Sequence, residues 1–157
     1  MKRTHAGLIV VGTVVALAAT VIARADTAAS PTATQMVQAR QASLDMSAAT
    51  FVTMKHAAEE GDISKMEQPA NALAKWSKAL PIMFPAGTGI GQVSIPTKAK
   101  PEIWSNRATF EQRAADYAAA AAKLPELAKA GDAAAFNAQL DTVKKACGAC
   151  HQDFQAR

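Results

Sequence analysis

From Phe136 to Phe154 the residues suited to a core recur at steps of four, three, four, three and four: Phe136, Leu140, Val143, Cys147, Cys150 and Phe154. That spacing keeps one face of an α-helix apolar, whereas a strand would need alternation every two residues. It predicts a helix from an N-cap at Asp132, just after the Gly131 turn, to about Gln155. One apolar stripe has to be covered by other elements. The remainder of the chain offers only helices, being rich in Ala, Gln, Lys and Leu and poor in β-branched runs.

Three more helices are expected. The first runs from about Thr34 to Glu60, between Pro31 and Gly61, with Val37, Leu44, Ala48, Phe51 and Ala58 on its core stripe. The second runs from about Glu67 to Leu80, with Pro69 in its first turn and Leu73, Trp76, Ser77 and Leu80 inward. A long irregular stretch, Pro81 to Lys100, holds three prolines and three glycines. The third helix starts near Pro101 and places Ile103, Phe110, Ala114, Tyr117, Ala121 and Leu124 on one face, with Pro125 expected to kink it or end it early. Short turns between the first and second helices, and between the third and fourth, predict an all-α, antiparallel up-down-up-down four-helix bundle.

The first 25 residues stand apart. A basic start at Lys2 and Arg3, an apolar run from Leu8 to Ile22 and the small-x-small triplet Ala23-Arg24-Ala25 make a secretory signal peptide the expectation. Residues 26–157 then form one domain. A retained anchor is the alternative, and the polar stretch after Ala25 favours cleavage, with no membrane segment left behind. Cleavage removes three of 17 basic residues and none of the 13 acidic ones, so the mature charge falls from +4 to about +1. With no basic stripe and one tyrosine, nothing points to nucleic acid.

Cys147-Gly148-Ala149-Cys150-His151 reads C-x-x-C-H, the attachment pattern of c-type haem. Two thiols three residues apart on a helix can reach the two vinyl groups of one haem, and the adjacent imidazole of His151 is then the metal ligand. A redox-active C-x-x-C would want a βαβ context, and a zinc site a further ligand that two Cys and two mature His do not supply. The expected cofactor is one covalently bound haem c.

The bundle topology brings the end of the fourth helix beside the first half of the first helix and the long loop. Arg40, Gln41, Leu44 and Thr88 are therefore expected around the haem, with Arg40 placed to bond a propionate. His56 lies about 18 Å beyond Leu44 along the helix and Met46 about 200° around it, so neither suits the far side of the iron. Met36 is at the right height. Leu44 is best aimed and cannot ligate, which predicts a five-coordinate iron in an apolar distal pocket, open to NO or CO.

The chain resembles the class II cytochromes c, the cytochrome c′ and c-556 family, over nearly all of its mature length. The marks are Cys-Gly-Ala-Cys-His near the C-terminus with Phe154 after it, Arg40-Gln41 in the first helix, Phe84-Pro85-Ala86-Gly87-Thr88 in the loop, and Lys100-Pro101-Glu102-Ile103-Trp104 opening the third helix. The resemblance implies a periplasmic haem protein of electron transfer or gas binding, with periplasmic redox partners, often a homodimer through its first two helices. It implies Cys147 and Cys150 as haem anchors, His151 as proximal ligand, Arg40 and Gln41 near the propionates, and Leu44 where low-spin relatives carry a ligating Met. Many members carry Arg four residues after the ligating His. Here Gln155 stands there, with Arg157 two residues on, which puts family-style handling of NO on the proximal side in doubt.

Three functions compete at this stage: a one-electron carrier, a gas-binding or NO-buffering protein, and a thiol-disulfide oxidoreductase using the C-x-x-C without haem. No general base, nucleophile or substrate pocket is legible, so the expectation is that the protein is not an enzyme.

Overall fold

The first helix, α1, spans Ala33–Glu60 and begins where the chain supplies a reciprocal cap. The Thr32 hydroxyl accepts from the Gln35 N–H at 3.2 Å, and the Gln35 amide oxygen accepts from the Thr32 N–H at 2.8 Å. It ends at Gly61, whose φ of 78° is open to glycine at little cost. The computed structural model describes residues 30–157, and the expected signal peptide at 1–25 lies outside the described residues.

The second helix, α2, is Glu67–Ala79, with Pro69 in its first turn and Ala70, Leu73 and Ser77 buried. It stops one residue short of expectation because Pro81 tightens the chain into a 3₁₀ turn over Leu80–Met83. The expected single third helix is instead three pieces: α3 (Glu102–Ser105), α4 (Arg107–Ala121) and α5 (Leu124–Ala130). Asn106, at φ −123° and ψ 52°, breaks the first joint, and no proline or glycine announces it. At the second, the Pro125 ring cannot donate and would strike the Ala121 carbonyl in a continuous helix. The chain turns at Ala122 and Lys123, and Pro125 sits in the first turn of α5. The last helix, α6, is Ala133–Phe154, and its N-cap Asp132 accepts from the Ala135 N–H at 2.9 Å.

These elements form an antiparallel four-helix bundle in which α1 packs on α2 and α6, and α4 packs on α2 and α6. The main core joins Met54, Leu73, Tyr117, Leu124, Phe136, Leu140 and Val143. Met54 is fully buried there, although the expected α1 stripe passes over it. Leu44 and Phe51, by contrast, are only half-buried and Ala48 is exposed. The α1 stripe leaves the core in mid-helix and faces a cavity.

A smaller cluster, Ala99, Ile103, Phe110 and Phe154, closes the other end. There the segment from Phe84 to Pro101 crosses the bundle, tied down by side chains. Arg107 donates to the carbonyls of Pro81 and Phe84 at 3.2 and 3.3 Å, and the Trp104 indole donates to Phe84 at 3.2 Å. Gly89 lies so close to Trp104 that a Cβ would stand 2.6 Å from the ring. The end of α6 is stitched to this segment: Lys100 N–H donates to Phe154 O at 3.1 Å, Ala156 N–H to Lys98 O at 2.9 Å, and Ala99 pairs with Gln155 in an antiparallel bridge.

Candidate functional site

The stripe that makes α6 a helix also aims its chemistry. Phe136, Leu140 and Val143 are buried in the core, and the next positions on the same face, Cys147 and Cys150, reach the edge of a cavity of about 660 Å³. Both thiols are half-buried. Burial pushes the Cys147 thiol up, and Cys150 is raised to about 11 by burial and then by Cys147 and Asp153, partly offset by Arg113. His151 is exposed and borders the cavity on one side and a shallow groove on the other, with Lys98, Gln152, Gln155 and Arg157.

Opposite α6, the wall is Gln41, Leu44, Ser47, Ala48 and Phe51 of α1, with Phe84, Phe110 and Tyr117 at the back. Phe110 meets Phe84 and Phe154 edge to face, at centroid distances of 5.0 and 5.4 Å. Two hydroxyls interrupt the apolar lining. Ser47 donates to the Leu44 carbonyl at 2.8 Å, and burial holds the Tyr117 phenol above its ordinary range, with Cys147 adding to the rise and a hydrogen bond with Ser47 opposing it. Among the described residues no methionine, Met36 included, borders the cavity. Met46 points outward at 71 % exposure, and His56 is exposed.

Arg40 is on the cavity wall, yet its burial has a different cause from the one expected. Its guanidinium donates to Thr88 Oγ1 at 3.0 Å, Thr88 O at 2.9 Å, Thr97 Oγ1 at 2.9 Å and Met83 O at 3.3 Å, and lies 4.3 Å from the centre of the Phe84 ring. A propionate is not needed to account for its position, since Met83 and the crossing segment together accept four hydrogen bonds from it. It has no carboxylate partner among the described residues. Burial alone lowers its pKa. Thr88 is fully buried behind Arg40, whose guanidinium it accepts from, and it does not itself border the cavity. Gln41 does line it, its amide donating to Pro96 O at 2.9 Å.

Sequence reasoning missed Thr97, Lys98 and Ala99, which border the cavity from a stretch with no periodicity to read. It also missed Arg113, whose 2.9 Å ion pair with Asp153 joins α4 to α6 beside Cys150. An arginine three residues before Asp116 on α4 carries no sequence signal for a partner forty positions away.

These residues fit a haem. Two thiols and one imidazole lie along one wall, a mostly apolar wall faces them, and a buried cation without a counter-ion stands at the edge. Among the described residues no group of three or more His, Cys, Asp and Glu side chains is arranged to hold a bare metal ion. An antiparallel four-helix bundle with a C-x-x-C-H segment at the cavity end of its last helix is the class of protein that fold and site define. The family model for cytochrome c′ matches residues 35–155, and the chain belongs to that family, which implies haem c binding. The cytochrome c′ of Rhodospirillum rubrum is 38 % identical over 88 residues, 55 % of this chain and 57 % of the relative, so that match spans little more than half of the relative's length. Among solved structures, a cytochrome c′ with a ligand-controlled dimer dissociation superposes with a TM-score of 0.76 at 26 % identity, covering 82 % of this chain and all of the other. A nitric oxide complex of a variant of the Alcaligenes xylosoxidans protein gives 0.72 at 25 % identity, covering 82 % of this chain and 99 % of the other.

Proposed function

We propose that this protein is an exported, periplasmic one-electron carrier, not an enzyme, with a single haem bound through thioethers to Cys147 and Cys150 and ligated by His151. The observation that carries the reading is the composition of one cavity wall: both thiols and the imidazole on α6, facing Leu44 on α1. Bound there, the haem would supply a one-electron iron couple. The chain's own part is to anchor the group, to exclude water with Phe51, Phe84, Phe110 and Tyr117, and to set positive charge beside it through Arg40.

A sixth position left open towards Leu44 is supported by the cavity lining, which among the described residues holds no methionine and no histidine besides His151. The same feature favours a second reading, the binding of NO or CO, and a relative has been solved with nitric oxide bound. The Ser47 hydroxyl donates to the Leu44 carbonyl at 2.8 Å, so its proton is not turned into the distal pocket. A homodimer is supported by α1, whose outward face carries Ala39, Ala42, Met46 and Ala49, all exposed and uncharged. Export rests on residues 1–25 of the sequence.

The test is the absorption spectrum of the exported protein, ferric and ferrous, with and without CO. A Soret band that shifts on CO is expected. No Soret band, in cells able to mature c-type haem, would overturn the reading and return attention to the thiols. A low-spin spectrum unmoved by CO would place a sixth protein ligand on the iron and remove the gas-binding reading.

A further inference from the structure

The charges of this bundle are unevenly placed. The end holding the α1–α2 and α5–α6 turns carries Glu59, Glu60, Asp62, Glu67, Glu126 and Asp132 against three lysines, Lys65, Lys123 and Lys129. At the cavity end the balance reverses. Lys98, Lys144, Lys145 and Arg157 are all exposed, and none is in an ion pair among the described residues. Lys98 and Lys144 border the cavity, and Lys98 and Arg157 share the groove beside His151. The neighbouring carboxylates are engaged elsewhere, Asp153 with Arg113 at 2.9 Å and Asp141 with Lys55 at 3.0 Å. Asp45, on the α1 lip, is the acid that faces them across the mouth.

Between these cations the surface is low. Gly148 is exposed, and a Cβ built on it would meet nothing within 4 Å. A partner could therefore approach the backbone of the attachment segment directly, framed by positive charge. Lys98, Lys144 and Arg157 beside these two openings, with Lys145 next to Lys144 on α6, repel each other and are best compensated by an anionic surface laid over them.

We propose that Lys98, Lys144, Lys145 and Arg157 form the docking surface for an acidic redox protein that exchanges one electron with the group in the cavity. The proposal rests on the haem reading above and adds the partner's chemistry to it. Net charge cannot produce the attraction. The mature chain has about one excess positive charge, and two haem propionates would make the total slightly negative. Steering must come from the local rim.

The probe is hexacyanoferrate(III), reduced by the ferrous holoprotein in stopped flow. One electron passes from iron(II) to the oxidant, giving iron(III) protein and hexacyanoferrate(II), with no bond or proton moved. Raising ionic strength from about 0.01 to 0.15 M shortens the screening length from about 30 to 8 Å and should slow the reaction about tenfold. In K144E/K145E that salt dependence should vanish or invert, and K145E/R157E should give the same result without touching the cavity wall. K65E/K129E makes the same change in net charge at the far end and should keep the wild-type slope.

Equal slopes in the rim and far-end variants would overturn the proposal. A second readout needs no haem reaction: poly-L-glutamate titrated into the full chain should shift amide resonances near residues 98, 144–148 and 157. Shifts confined to other faces would overturn it, as would tighter binding to phosphatidylglycerol vesicles than to polyglutamate at equal charge, which would make the rim a membrane contact. A chain without haem fails the functional reading and gives no electron-exchange rate, while the polyglutamate map still decides the rim.

Discussion

Replacing Arg40 by Met keeps the length of the stem and removes the charge and all four donors. The four bonds do not count equally. Thr88 Oγ1 keeps its own bond to Pro85 O at 2.8 Å, and Thr97 Oγ1 still accepts from the Ala99 N–H at 3.3 Å. The carbonyls of Thr88 and Met83 lose their Arg40 bonds, and Thr88 is fully buried. Stranding a buried carbonyl costs about 1–3 kcal/mol, and losing the cation over Phe84 adds about 0.5–2 kcal/mol. Against this stands the relief of a buried guanidinium with no counter-ion, whose desolvation lowers its pKa. The balance is a loss of about 2 kcal/mol, or roughly 8 °C in Tm for a chain of this size. Urea denaturation of R40M against wild type gives the total. Amide exchange localises it, since residues 84–99 should lose protection while α5 and the first half of α6 keep theirs. A loss below about 1 kcal/mol, or unchanged exchange in that segment, would refute the reasoning.

Gly89→Ala should destabilise the fold by about 1–3 kcal/mol, because its Cβ would meet the Trp104 ring, and tryptophan fluorescence during thermal melting would report the displaced indole. The carboxyl of Asp141 is held below its ordinary value of about 3.9 by the Lys55 hydrogen bond, then by the Lys55 charge. A depressed carboxylate contributes stability that is present above that value and lost as pH falls through the folded one, so the urea midpoint should drop below about pH 4, less steeply in D141N. Cys147→Ala with Cys150→Ala should release the haem to acid-acetone extraction, and colour retained in the protein pellet would contradict thioether attachment.

The bundle, and the place of the C-x-x-C-H segment on its last helix, were legible because both are written in local periodicity. The α6 stripe sets the helix, the face and the direction of Cys147 and Cys150 in one pattern, and the topology follows from short turns. The α1 stripe was read correctly at Val37 and Ala58 and misjudged at Met54, because sequence cannot tell an apolar residue packed in a core from one facing a cavity. The break at Asn106 was invisible for a different reason. It is imposed by the crossing segment, which draws Trp104 and Arg107 to the Phe84 carbonyl. Arg40 shows the same limit. Its place on the helix pointed inward, but its partners, Thr88 and Thr97, lie 48 and 57 residues away in a stretch with no period at all.

The stitch between the end of α6 and residues 98–100 bears on how still the site can be. The final turn of a helix is where fraying starts, and His151 lies in that turn, its carbonyl accepting the last helical bond from the Gln155 N–H at 3.0 Å. Here the residues just beyond are clamped on both sides, by Lys100 N–H on Phe154, by Ala156 N–H on Lys98 and by the Lys100 ammonium on Asp153 O at 2.7 Å. Fraying that would tilt the imidazole must first undo those bonds. In the proposed haem site, a ligand that barely shifted between oxidation states would carry a small reorganisation energy, so this seam of backbone bonds would act on the speed of electron exchange without touching the iron.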